Sequence, residues 1–201
     1  MSNFALRTAV ALGVLVSARA AFAQRPAEQP KSWELLVTSG ALVPTGDQAN
    51  SIKNAGTTAA QVSWMIRPSL GITGTFAWSR SRDVSMVSQP KLDVFSSDLG
   101  VEKRLGQRFR ENAVTFRPFV GLGGGARSYN YRKLDEDATH NAAVYGAIGG
   151  EIGVRRVGVR IEARDYVSQF KPLVGAGQTA TRNDVVVMVG LRFKRQHASD
   201  N

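Results

Sequence analysis

Apolar residues recur at every second position through most of this chain, which is the period of a strand and not the 3.6-residue period of a helix. In Leu99-Gly100-Val101-Glu102-Lys103-Arg104-Leu105 one parity is Leu, Val, Lys, Leu, while the other holds Gly, Glu and Arg and follows Asp98. Val159, Ile161 and Ala163 alternate in the same way with Arg160, Glu162 and Arg164, and Ile148, Ile152 and Val154 are set against Glu151 and Arg155. Eight such segments are predicted, at 32–45, 59–67, 69–80, 94–105, 114–132, 142–155, 157–170 and 185–194. Their connections alternate in length. Long polar stretches such as 46–58 and 171–184 follow the odd-numbered segments. Pro68, the pair Arg155-Arg156 and the somewhat longer stretch 106–112 follow the even-numbered ones. Tight turns at one end and long loops at the other are the habit of an up-and-down barrel in a membrane.

A soluble barrel would turn the aliphatic parity inward and a membrane barrel would turn it outward, so the alternation alone does not choose the solvent. The large rings break the tie. If the strands run up and down from a periplasmic start, Trp33, Trp64, Phe116 and Phe193 fall near the periplasmic ends on the aliphatic parity, and Trp78 and Phe95 fall near the outer ends. Rings at both water boundaries form the girdles of a membrane barrel. The opposite parity then faces a narrow lumen with Glu34, Asp98, Glu102, Arg104, Arg127, Glu151, Arg155, Arg160, Glu162, Arg164 and Arg192. Eight strands enclose only enough space for side chains, so these charges are expected to pair and fill the lumen; a gated narrow channel is the competing expectation.

Composition changes the picture only at the N-terminus. Two hundred and one residues with 43% hydrophobic content suit one domain, and the first two dozen positions stand apart from it. Arg7, an apolar run over 9–16 and the small residues of Ala21-Phe22-Ala23 before Gln24 have the layout of a secretory signal peptide, with cleavage expected after Ala23 or alternatively after Ala20. Arg19 departs from that layout. The expected organisation is a signal peptide over 1–23, a flexible periplasmic leader over 24–31 containing Pro26 and Pro30, a barrel over 32–194 and a polar tail over 195–201. Without Arg7 and Arg19 the mature chain keeps 24 basic against 16 acidic side chains, a net charge of +8. For an exported protein this excess points to outer-membrane lipid and lipopolysaccharide phosphate, not to nucleic acid. The chain has no cysteine, and therefore neither a disulfide nor a lipoprotein acylation site.

The closing segment, Arg182-Asn183-Asp184 followed by VVVMVGLRF, resembles the last strand of outer-membrane proteins, whose terminal aromatic would here be Phe193. PFVGLGGG from Pro118 and DLGVEKRL from Asp98 are similar to strands of the small OmpA-like outer-membrane barrels. The resemblance covers most of the chain from Trp33 to Phe193. It implies an all-β, eight-stranded, antiparallel, transmembrane barrel in a bacterial outer membrane, inserted by the barrel-assembly machinery. The eight residues from Lys194 to Asn201 depart from the family, whose insertion signal ends the chain.

Candidate chemistry is sparse. Gly121-Leu122-Gly123-Gly124-Gly125-Ala126 has the spacing of a dinucleotide loop, yet Arg127-Ser128-Tyr129-Asn130-Tyr131 continues as a strand, so the helix that would hold a pyrophosphate is missing and no cofactor is expected. Alternate glycines are instead expected to make room for bulky interior side chains. His140 is assigned to a loop, His197 to the tail, and Asp135, Glu136 and Asp137 to a solvated loop tip, so no metal site is expected. No catalytic residue is assigned: His140-Asn141-Ala142 departs from the His-x-Ser arrangement of the outer-membrane lipid A deacylases. The expected role is therefore structural, or recognition through four polar outer loops by a partner that the sequence does not identify. A narrow channel for small or hydrophobic solutes and a lipid A-modifying enzyme are the alternatives.

Overall fold

The computed structural model describes residues 32–85, 87–106, 109–111, 114–132, 139–154, 156–170 and 180–196. The strands are β1 (Ser32–Thr45), β2 (Ala55–Arg67), β3 (Leu70–Arg82), β4 (Lys91–Arg104), β5 (Phe109–Glu111), β6 (Val114–Tyr131), β7 (Thr139–Val154), β8 (Val157–Phe170) and β9 (Ala180–Gln196). All pairings are antiparallel. The order β4-β3-β2-β1-β9-β8-β7-β6 is closed by pairing of β4 with β6, giving an eight-stranded barrel. Closure satisfies the backbone hydrogen bonds of each strand on both sides, which a bilayer interior demands because it offers no water in exchange. β5 lies outside this ring of eight, as a three-residue strand folded back on the start of β6. It occupies the 106–112 stretch expected to be a plain turn, and three residues are too few to register as an alternating pattern.

β2 meets β3 through Pro68 and Ser69, and β7 meets β8 through 155–156, so these turns share one end of the barrel with Ser32, which pairs with Gln196. The strand ends Thr45 and Ala55, Arg82 and Lys91, Tyr131 and Thr139, and Phe170 and Ala180, which flank the long connections, lie at the other end. Residues 1–31, where a signal peptide and leader are expected, and those beyond Gln196 are outside the described residues, as are Arg155, His197 and Asp135, Glu136 and Asp137.

Several strands are longer than the alternation predicted. β2 begins at Ala55 instead of position 59, β4 at Lys91 instead of 94, and β7 at Thr139 instead of 142; β9 covers Ala180–Gln196 instead of 185–194. The apolar alternation ends where hydrocarbon gives way to water, but the ladder continues through polar pairs such as Thr57 with Ser79 and Thr45 with Asn183. Fourteen residues at about 3.3 Å each make a strand of about 46 Å. Tilted by about 35–45°, it stands roughly 33–38 Å tall, more than the apolar band of about 25 Å.

Burial places the aliphatic parity outside. Every one of the eight strands sets an exposed aliphatic on the outer wall: Val37, Val62, Ile72, Leu99, Leu122, Ile148, Ile161 and Val189. Leu99 is 71% exposed and Ile161 59%, whereas Arg160 and Glu162 are 3% and 1% exposed. A soluble protein would lose the free energy of burying those side chains and would still bear the cost of burying the charges. The interior also contains Tyr145 and Tyr166, whose ring centroids are 5.2 Å apart, among the small residues Ala59, Ala77, Ala143 and Ala147. The glycines of β4 and β6 make that possible: a Cβ at Gly123 would meet the Tyr145 ring at 2.7 Å, and one at Gly100 would collide with the Tyr145 hydroxyl.

Candidate functional site

The interior charges come from strands far apart in sequence and meet because alternate residues of every strand point to the barrel axis. Near the tight-turn end Arg192 of β9 bridges Glu151 of β7 at 2.8 Å and Glu34 of β1 at 3.3 Å. Glu34 also accepts both terminal nitrogens of Arg104 from β4, one at 3.1 Å and one closer, and the Arg104 Nε reaches Glu102 at 3.3 Å. Glu102 passes the chain to Arg160 of β8 at 2.7 Å, and Arg160 passes it to Glu162 at 2.6 Å. Glu162 accepts the Arg164 Nε, and Arg164 faces Asp98 at 3.8 Å. The result is a continuous chain of alternating sign, Glu151, Arg192, Glu34, Arg104, Glu102, Arg160, Glu162, Arg164 and Asp98, every member buried.

Neutral groups complete the coordination. Arg164 donates to Gln61 at 2.5 Å and to Thr75 at 3.2 Å, and the Tyr166 hydroxyl donates to Asp98 at 2.7 Å. Arg160 stacks 3.6 Å from the centroid of Phe119, and Arg127 lies 4.0 Å from that of Tyr166. Arg127 pairs with Asp184, both about 1% exposed. Toward the long-loop end charge gives way to an apolar cluster of Ile52, Leu92, Val94, Tyr129 and Tyr131, with the Tyr131 hydroxyl donating to Asp83 at 2.5 Å.

Of the eleven lumen charges read from the sequence, ten are inside and nine of them form the chain; Arg127 stands apart in its own pair, and Arg155 is outside the described residues. Asp184 was missed because the last strand was started one residue later; counting back in twos from Arg192 reaches it. Asp93 was missed for the opposite reason. It sits on the outward parity, yet is buried beneath the Trp78 indole N–H at 3.3 Å, Arg80 at 3.3 Å and Arg132 at 2.6 Å. A parity count does not anticipate that cover.

The six rings lie on the outer wall. Trp33 and Trp64 are cross-strand partners stacked at 5.7 Å with planes 8° apart, and Phe193 and the half-buried Phe116 share their end of the barrel. Trp78 and Phe95 face each other at the long-loop end, where exposed Phe76 joins them at 6.2 Å from Phe95. His140 corrects the loop assignment. It stands in β7 opposite Ser128 of β6, with Nδ1 2.6 Å from the serine Oγ. Among the described residues no group of three or more His, Cys, Asp or Glu side chains gathers to hold a metal ion. The glycine run lies within β6, paired on both sides.

A polar interior inside an apolar wall, closed by eight antiparallel strands, has counterparts among solved structures. Neisserial surface protein A superposes with a TM-score of 0.58 at 9% identity over 82% of this chain and 99% of that one. The fold is that of a small outer-membrane barrel. The N-terminal β-barrel domain of Pseudomonas aeruginosa OprF has a TM-score of 0.48 at 11% identity, covering 82% of this chain and 97% of that domain. The attachment invasion locus protein Ail of Yersinia pestis has a TM-score of 0.46 at 11% identity, covering 84% and 100%. No family model and no curated protein matches the sequence.

Proposed function

We propose that this chain is an integral protein of a bacterial outer membrane with an envelope-structural or surface-interaction role, and that its lumen is closed to ions. The observation that carries the closed lumen is the packing at mid-barrel. There the cavity bordered by Gln61, Glu102, Phe119, Tyr145, Arg160 and Arg164 holds about 10 Å³. That is about the volume one water needs, and far less than a file of hydrated ions. The ion-pair chain supports the same reading, because Arg104, Arg160, Arg164 and Arg192 are each held by a carboxylate on another strand or two residues along their own. Outside the wall, the connections at the long-loop end are the part of such a scaffold available for recognition. The test is conductance of the purified barrel in a planar lipid bilayer. The expected trace has no stable steps above the bare membrane, and sustained ohmic steps in the wild type would refute the closed lumen in favour of a narrow channel.

One observation favours a second reading. Ser128 and His140 place a hydroxyl within hydrogen-bond reach of a base on the outer wall, level with Phe95, which is the first requirement of acyl transfer. Among the described residues no carboxylate bonds the other nitrogen of His140 and none supplies the orienting third group, so we place the structural role ahead. Lipid A acyl analysis in cells carrying the wild type or Ser128→Ala tests the enzyme reading; a difference between the two would establish it.

A further inference from the structure

We infer that a cationic cleft on the outer wall, built by Lys53, Arg80, Arg82 and Lys91, binds the phosphate groups of an anionic outer-leaflet lipid. This rests on the outer-membrane reading and names the lipid and its site. The cleft arises from a change of register. Gly56 pairs with Arg80, whereas Ile52 bridges Asp83, so β2 and the stretch before it hold one residue more than β3. Such a bulge re-aims side chains. Ile52 and Ala55 both stay buried, and Lys53 and Asn54 both turn outward. Two contacts pin the bulge: the Lys53 amide donates to the Arg82 carbonyl at 3.0 Å, and the Ser81 hydroxyl donates to the Lys53 carbonyl. Lys53 thereby joins Arg80, Arg82 and the Lys91 that pairs with Arg82, around a cavity of about 400 Å³. That volume falls within the range of pockets that hold small molecules.

Charge and height select the ligand. Asp93 is the acid of this patch, and it is already engaged by Arg80 and Arg132. Lys53, Arg82 and Lys91 form no ion pair among the described residues, and none of those residues compensates this cluster of like charges. Directly below, on the same face, Trp78 and Phe95 form a cross-strand pair with Phe76 beneath. Aromatic rings of this kind lie at the headgroup boundary. Arg80 is two residues beyond Trp78 and Arg82 four, about 7 and 13 Å along the strand. The Arg80 guanidinium lies 4.7 Å from the Trp78 ring centroid, so ring and cation form one surface. A molecule carrying phosphate above and acyl chains below fits both halves, whereas a free phosphate would use only the upper one.

The experiment uses the refolded full chain in phosphatidylcholine nanodiscs doped with bis-phosphorylated lipid A, with its dephosphorylated counterpart, or with neither, and counts bound lipid by native mass spectrometry. Lys53→Ala/Arg82→Ala/Lys91→Ala is expected to weaken binding of the phosphorylated lipid by at least about tenfold, since each cation near an anionic surface contributes appreciably. Lys103→Ala/Arg156→Ala/Arg195→Ala removes the same charge from the opposite end and is expected to stay within about twofold. The dephosphorylated lipid is expected to bind the wild type no better than it binds the cleft variant. Equal binding by the cleft variant and wild type overturns the site, as does equal loss in the control, or competition by inorganic phosphate as effective as by the lipid. The single reversals Arg82→Glu and Lys91→Glu repeat the measurement should the triple variant not fold. Heat-modifiability on a gel separates the two levels: a wild type that lacks it defeats the membrane reading and the site together, and one that has it without lipid preference defeats the site alone.

Discussion

Glu162 and Glu34 are both buried and each holds two guanidiniums, yet the structure predicts unequal costs for neutralising them. In Glu34→Gln both arginines keep a carboxylate, Arg104 through Glu102 at 3.3 Å and Arg192 through Glu151 at 2.8 Å. In Glu162→Gln, Arg160 keeps Glu102 at 2.7 Å, but Arg164 is left with Asp98 at 3.8 Å, and Asp98 is already engaged by Tyr166. Removing one member of a buried ion pair costs about 3–5 kcal/mol because the remaining charge loses its compensation. Glu162→Gln is expected at the upper end of that range and Glu34→Gln at or below the lower end. A gap of about 1.4 kcal/mol is a tenfold difference in the folding equilibrium. Equilibrium urea unfolding from phosphatidylcholine vesicles, followed by the fluorescence of Trp33, Trp64 and Trp78, measures both. The glutamine keeps the shape and one acceptor, so cavity formation does not confuse the comparison. A Glu162→Gln variant within about 0.5 kcal/mol of wild type, the scatter of neutral surface substitutions, would refute the reasoning. So would a Glu34→Gln variant that is the less stable of the two. Adding Arg164→Met to Glu162→Gln should recover part of the loss, because the stranded cation is then gone.

Two further outcomes follow from the wall and from the packing inside it. Ile161→Arg puts a charge on the lipid face near mid-strand and is expected to cost about 2–4 kcal/mol in the same unfolding assay; a neutral result would mean that this face does not meet hydrocarbon. Gly100→Ala drives a methyl into the Tyr145 hydroxyl and against the Leu122 carbonyl oxygen at 2.9 Å, and should lower the unfolding midpoint. Tyr145→Phe in that background should restore part of the loss, and no recovery would place the conflict in the backbone instead.

Much of the architecture was legible in the sequence because it rests on local periodicity. Two-residue alternation, with tight and long connections in turn, yields the strand number and the antiparallel order, both of which depend on neighbours in the chain, and the rings at the strand ends add the outward parity. Strand ends were less legible, since hydrogen bonding continues through polar pairs such as Thr45 and Asn183 after the apolar signal stops.

What the sequence alone determined is which side chains share a face, since successive residues of a strand point to opposite sides of the sheet, and the rings at the strand ends assign the aliphatic face to the bilayer. Only the tertiary structure decided which charge meets which. Glu34 and Arg104 are 70 positions apart, and Asp184 meets Arg127 across 57. Those partnerships depend on strand tilt and on the shear with which the sheet closes, which no stretch of one strand encodes. The same holds for the cleft beside Lys53 and for the Ser128–His140 contact, each made where two strands come into register.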